Sequence, residues 1–399
     1  MKKTLFLAGM VLASLPAVAT AQKTVSGTKN GISYTATSSI VGQTSTATLA
    51  AGGSPIYLAP NQNGYSGTVG LLMTYSNGSA FVCSGALLSD RRSVLTAGHC
   101  VSDGGGKKAG DLVNTKVFFY DGSAGDDQYI YPSAGVLQPG VSSINVAEYR
   151  VNGAYTGEVI DQNDIAVLYM AQAAPDFAQA YGIYDTTDLT GDLFNVTGYG
   201  TRSLVGGAEG YTGPGAGAGV GRRRQGYNIY DYALGDDIFG GFFTDKDANG
   251  ETFFGTADVR YSYLSDFDNG QRANDASCLL ATDFSAAGAK YCQRGIGPIE
   301  VGIAGGDSGG ASFIDGKIAS VNSYGLSFGA DYGDYKDGLQ SSWGEFSGYV
   351  PTFIHADFIS GAMAAAVPEP ATWALMILGF GAVGGAMRRR TRAAVRFAA

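Results

Sequence analysis

Histidine is nearly absent from this sequence: 399 residues hold two, His99 and His355. A reaction that needs an imidazole base therefore has two places to find one. Cysteine is also scarce. Cys83, Cys100, Cys278 and Cys292 show no C-x-x-C spacing, which excludes the common zinc frameworks. Charged residues make up 15%, and acids outnumber bases 35 to 26, for a net charge of −9. Lys2, Lys3 and the arginines at 388, 389, 390, 392 and 396 sit at the two ends, so the body of the chain is more acidic still. That balance argues against a nucleic-acid partner. It suits an exported soluble protein, one that could also bind divalent cations. Sustained helical periodicity is missing too. There are 61 glycines and 24 tyrosines, and apolar residues come in short runs broken by Gly, Asn and Asp. The runs Thr68–Tyr75, Ser93–Thr96, Lys116–Tyr120, Ile165–Tyr169, Leu193–Thr197, Ile299–Ile303 and Lys317–Val321 predict an all-β sandwich or barrel. One late helix is expected around 350–360.

Both ends read as addresses. Lys2 and Lys3 precede the apolar run Leu5 to Val18, and Ala19-Thr20-Ala21 offers small residues for a signal peptidase before Gln22. Residues 1–21 are a secretory signal peptide, too short for a membrane span. At the other end Val367-Pro368-Glu369-Pro370 leads into apolar residues to Met387 and then the arginines. A helix stopped by arginines would lie across a bilayer with its basic end in the cytoplasm. The order Pro-Glu-Pro, apolar helix, arginine cluster resembles the PEP-CTERM sorting signal of Gram-negative bacteria, here over 367–392. The resemblance implies export, transient inner-membrane anchoring and cleavage by an exosortase-type enzyme, leaving the protein in the periplasm, at the cell surface or outside. In an exported chain four cysteines read as two disulfides; of three pairings, the neighbours 83–100 and 278–292 are favoured. Residues 22–60 form an N-terminal extension or pro-segment, and 361–370 a linker. Glycine-rich 206–226, with Arg222, Arg223 and Arg224, reads as a mobile surface loop.

The run "AGGDSGGA" (304–311) fits two nucleophile patterns. A serine needs a base and a group to orient that base. The α/β-hydrolase order, Ser308, then Asp331, Asp334 or Asp337, then His355, lacks its context: no βα alternation precedes the serine, and residues 311–316 lead into another strand. The order His, Asp, Ser is met by "SVLTAGHCV" with His99, "NDIAVLYM" with Asp164 and "GGDSGGA" with Ser308. With "CSGALLS" (83–89), "VTGYG" (196–200) and "SYG" (323–325), these blocks resemble the chymotrypsin-like, trypsin-fold serine proteases.

The resemblance implies two six-stranded antiparallel β-barrels over 61–360, split near 180–190, with a short C-terminal helix. It implies endopeptidase activity on polypeptides through His99, Asp164 and Ser308, with no cofactor required. The N–H groups of Gly306 and Ser308 would form the oxyanion hole. Gly302 would sit at the base of the specificity pocket, making it neutral, unless Asp331 or Asp334 reaches in. Ser323, Tyr324 and Gly325 would bind substrate backbone. Cys83–Cys100 would tie down the His99 loop, and Cys278–Cys292 would brace the second barrel near the pocket. The family's Ile-Val-Gly-Gly terminus, which buries against the acid before the nucleophile (here Asp307), is not found; Ile56 lies at about the right distance. "TDKDANGE" places Asp245, Asp247, Asn249 and Glu251 like the first half of a calcium loop, so a structural calcium is an expectation. The competing reading is a catalytically inactive surface or matrix protein of the same fold.

Overall fold

The computed structural model describes residues 19–20, 23–37, 39–210, 216–336, 338–365 and 370–390. Most of the expected signal peptide and the Pro368-Glu369 pair lie outside these residues, as does Asp337. Ala19 and Thr20 pair in parallel with Phe81 and Val82. The chain forms two units, 1–356 and 357–399.

In the first unit, β1 (Val25–Lys29) and β2 (Ile32–Thr37) form a hairpin about Asn30-Gly31, the dipeptide that a tight two-residue turn favours. β3 (Ser39–Gly42) follows. Six strands then close a barrel: β4 (Thr68–Tyr75), β5 (Ala80–Leu87), β6 (Ser93–Thr96), β7 (Leu112–Tyr120), β8 (Val141–Val151) and β9 (Ala166–Met170). The order β5-β4-β7-β8-β9-β6 is closed by the pairing of β6 with β5. Val69, Leu71 and Met73 alternate along β4 and are fully buried, as period-two patterning requires.

The second half holds β10 (Leu193–Gly198), β11 (Arg224–Ile229), β12 (Tyr263–Phe267), β13 (Val301–Ala304), β14 (Ala311–Ile314), β15 (Lys317–Ser327) and β16 (Glu345–Pro351). Its sheet runs β11-β10-β14-β15-β16-β12, and β2 pairs with the end of β15. This corrects the expected second closed barrel, because β11 and β12 form no ladder. Tyr227 N instead donates to Ile299 O at 2.9 Å, and the Asn228 amide bridges to Asp266 O at 2.6 Å. A side chain thus stands between β11 and β12, and only the two residues Tyr232–Ala233 beyond β11 pair with β12 by backbone. The sheet curls around an aromatic core that includes Tyr232, Phe239, Phe243, Phe253, Phe254 and Tyr324.

Three helices depart from expectation. α1 (Ala276–Phe284), capped by Asp275, is too short to announce itself by periodicity. α2 spans Ala356–Ala365, because β16 takes up residues to Pro351, so residues 361–365 of the predicted linker are helical. α3 spans Pro370–Arg390. No helix of the described residues is long and apolar enough to cross a membrane. In α3, Gly379, Gly381, Gly384 and Gly385 dilute the apolar run and Arg388 to Arg390 end it. The described parts of the 206–226 loop are not a free surface. Arg223 is 4% exposed and donates to Ala59 O, Tyr65 O and Asn61; Arg224 is 3% exposed and reaches Thr46 O, Ala47 O and Asp127.

Candidate active site

Strand β6 ends at Thr96, and a single 3-10 turn, Gly98–Cys100, presents His99. The turn is held to the neighbouring strand by the Cys83–Cys100 disulfide. Asp164 lies directly before β9, in a turn organised by the buried Asp161 carboxylate. Asp161 accepts from Thr156 N, Thr156 Oγ1 and Asn163 N. The short closed barrel thus delivers both residues from one rigid frame.

Asp164 is fully buried and anchors three groups. His99 N donates to Oδ1 at 2.7 Å, His99 Nδ1 pairs with Oδ2 at 2.7 Å, and Ser323 Oγ donates to Oδ2 at 2.6 Å. With Nδ1 engaged, His99 Nε2 carries the ring's free position. It is buried and has no hydrogen-bond partner among the described residues. Burial pulls the His99 pKa down, but the charge and hydrogen bond of Asp164 outweigh it, so the net shift is upward from 6.5.

Ser308, 3% exposed, sits against the His99 turn. Ser84 N donates to its carbonyl at 2.8 Å, and Cys100 Sγ lies 3.6 Å from the same oxygen. Gly309 follows with φ +79°, and any Cβ there would stand 1.9 Å from Thr96 Oγ1. Only glycine lets the two loops approach this closely. The Ser308 hydroxyl makes no hydrogen bond to His99 Nε2 in this form. Gly306 O accepts from Ser84 Oγ at 2.9 Å. The N–H groups of Gly306 and Ser308 have no hydrogen-bond partner among the described residues.

The remaining predicted residues divide. Ser323 and Tyr324 line a cavity of about 570 Å³ beside His99, with Thr37, Tyr155, Asp103, Asp111 and Glu158 among its walls. Gly302 and Gly325 instead border a separate space of about 10 Å³, with Thr37, Phe267, Leu339, Glu345 and Ser347. Asp331 and Asp334 line neither space. Asp334 accepts from Ser327 Oγ and Lys336 N. Cys278 pairs with Cys292. That bridge joins α1 to the turn after it, and neither cysteine borders either space.

Asp245, Asp247 and Glu251 do not converge. Asp247 Oδ1 is spent on Asn249 N and Glu251 N, so the acidic turn is held by its own backbone. The one convergent group of three His, Cys, Asp or Glu side chains among the described residues is Cys83, His99 and Cys100, and its two sulfurs are joined to each other. His355, the alternative base, accepts or donates only to Asn152 and Gln162 O, and burial lowers its pKa.

Sequence reading missed one segment. Ile40-Val41-Gly42-Gln43 differs from Ile-Val-Gly-Gly at a single position. The structure pairs β3 antiparallel with β13, matching Ile40 to Ile303 and Ser39 to Ala304. Ala304 N donates to Asp307 Oδ2 at 3.2 Å, and Gly200 N donates to Asp307 Oδ1 at 2.8 Å. Asp307 is buried with no cation partner among the described residues, and burial holds its carboxyl well above the usual range.

Residues 60–213 match the trypsin family profile, and residues 366–390 match the PEP-CTERM protein-sorting motif. A solved structure titled "HL collagenase" is similar over 77% of this chain and 97% of that one, with 14% identity and a TM-score of 0.45. No curated protein matches the chain. The match to the trypsin family covers under half of the chain, and the PEP-CTERM motif that follows is the mark of an exported, exosortase-sorted protein.

Proposed function

From a chain that carries a trypsin-family domain and a sorting motif, we propose an exported serine endopeptidase. The observation that carries this reading is the His99–Asp164 pair, fixed through Nδ1 with Nε2 unpaired, beside the buried Ser308. Ser308 Oγ attacks the substrate carbonyl while His99 Nε2 takes its proton, then returns it to the leaving amine. Asp164 keeps Nδ1 protonated and stabilises the imidazolium. Gly306 and Ser308 N–H groups receive the oxyanion, each donor supplying about 3–4 kcal/mol. Because the base must be neutral, turnover rises with pH through a His99 value above 6.5. A pH–kcat/KM profile with its acid limb below 6 contradicts this assignment.

The pocket between Gly302, Phe267 and Ser347 carries no charge facing Gly302, which favours a small or apolar P1 residue. Glu345, in the wall of the same space, accepts from the N–H groups of Gln340, Ser341 and Ser342. Maturation is assigned to cleavage between Ser39 and Ile40. The new Ile40 ammonium would meet the cation-free Asp307. N-terminal sequencing of the active form should begin at Ile40, and full activity in a form beginning at Gln22 ends that assignment. A fluorophosphonate that labels wild type and not Ser308→Ala tests the enzyme reading itself. Unlabelled native protein, matured or not, supports the inactive reading.

A further inference from the structure

Strand β15 leaves the candidate site in a defined direction. Ser323 on this strand donates to Asp164, and two residues later Gly325 begins an edge that a peptide lying over Ser308 would need. That edge is occupied. β2 pairs antiparallel with it, Thr37 against Gly325, Ala36 against Leu326 and Thr35 against Ser327. A Cβ on Gly325 would stand 2.8 Å from Thr37 O, so the backbones are in close contact. Ala36 is fully buried and Thr37 is 5% exposed. Thr37 borders both the large cavity beside His99 and the small space at Gly302. That small space, about 10 Å³, is room for one water at most and for no side chain. One strand earlier in the chain, Lys23 enters the large cavity and donates to Gly157 O at 2.5 Å, in a wall that carries Asp103, Asp111 and Glu158.

We propose that the β1–β2 hairpin is a resident inhibitor: it occupies the backbone-binding edge and the mouth of the specificity pocket, holding the chain latent until the hairpin leaves. This rests on the endopeptidase reading and goes beyond it. Freeing Ile40 acts on Asp307, whereas clearing Gly325 requires residues 23–37 to depart. Two separate events are therefore needed, cleavage and release. A tethered strand acts at an effective concentration on the order of millimolar. With a free-peptide Kd of about 10 μM, tethering suppresses substrate binding about 100-fold.

The test compares full-length protein with a chain beginning at Ile40, using a fluorophosphonate and a tetrapeptide amide series. A synthetic peptide of residues 23–37 is then added to the shorter form. The expected result is competitive inhibition of tetrapeptide turnover, with KM raised and kcat unchanged, and no inhibition by the same peptide carrying Ala36→Pro. Where the shorter chain does not fold, full-length protein cut between Ser39 and Ile40 takes its place, and Ala36→Pro in that cut form should raise tetrapeptide kcat/KM at an unchanged labelling rate. Unchanged KM with saturating peptide, or equal tetrapeptide kcat/KM in wild type and Ala36→Pro after both are cut between Ser39 and Ile40, overturns the proposal while label at Ser308 leaves the enzyme reading standing. Absence of label in every form removes the enzyme reading and this one with it.

Discussion

The first barrel and the second half solve the same problem, burying a β-sheet edge, in different ways. β4 to β9 close on themselves, and among the described residues only the short Ala19–Thr20 strand adds to them, at Phe81 and Val82 of β5. The second sheet stays open, and its gaps are filled by Asn228 on one side and the N-terminal hairpin on the other. The buried acids differ too. Around β12 and β16 the second half buries Asp231, Asp266, Asp268, Glu300 and Glu345. Among the described residues the barrel's frame buries only Asp161 and Asp164 in this way. The lesson is a division of labour. The closed barrel fixes base and orienting acid, while the open half carries nucleophile and cleft on a scaffold whose edge can be given up.

The contact that spans the two halves is the place to break this comparison hardest. Asp164 sits in the barrel frame, yet it accepts from Ser323 of the second sheet. Asp164→Asn should lower kcat about 10⁴-fold by favouring the wrong His99 tautomer, measured on tetrapeptide amides. A fall below tenfold would mean that the barrel does not set the base. Next in size is Phe243→Ala, in the aromatic core of the second half, where truncation should cost about 3–5 kcal/mol. Hydrogen exchange should then show lost protection in β12 and β16 with β4 to β9 intact. Equal loss in both halves would erase the distinction between them.

Removing the Cys83–Cys100 bridge, with Ser at both positions, should cost about 3 kcal/mol for a loop of 17 residues. Urea unfolding reads this, and peptide turnover should fall with it because the bridge holds the His99 turn. Unchanged turnover would show that β6 alone positions the turn. The smallest effect is a slope. Burial, with neighbouring acids adding to it, pushes Asp231 to about 7 and Glu300 and Glu345 to about 8. These groups bind protons more tightly folded than unfolded. Their contribution is therefore fully present near pH 4 and is lost as pH rises through about 7–8. Denaturant midpoints should decline across that window, and Glu300→Gln should flatten the decline. A midpoint that climbs with pH would refute the sign.

Much of the site was legible because chemistry restricts residue type. Two histidines left two bases, and the order of His99, Asp164 and Ser308 selected one. Short strands were legible where alternation was clean, as in Ser93–Thr96, which the structure reproduces to the residue. The hidden features are those set by partners distant in sequence. Arg223 and Arg224 read as a solvated patch, but the carbonyls that bury them lie more than a hundred and fifty residues upstream. Ile40-Val41-Gly42 lay 16 residues before Ile56, the position expected from spacing, since the loop between Gln43 and Tyr57 can lengthen at little cost.

By itself the sequence determined the β class, the C-terminal sorting motif, the disulfide partners and the three residues of the candidate triad. Each follows from local pattern or from the few residue types able to do the chemistry. Tertiary structure alone decided that the second sheet does not close, that the acidic turn is held by its own backbone, and that residues 32–37 cover the cleft. Those outcomes depend on which backbone edge meets which, and edge pairing between segments nearly three hundred residues apart leaves no mark on either segment.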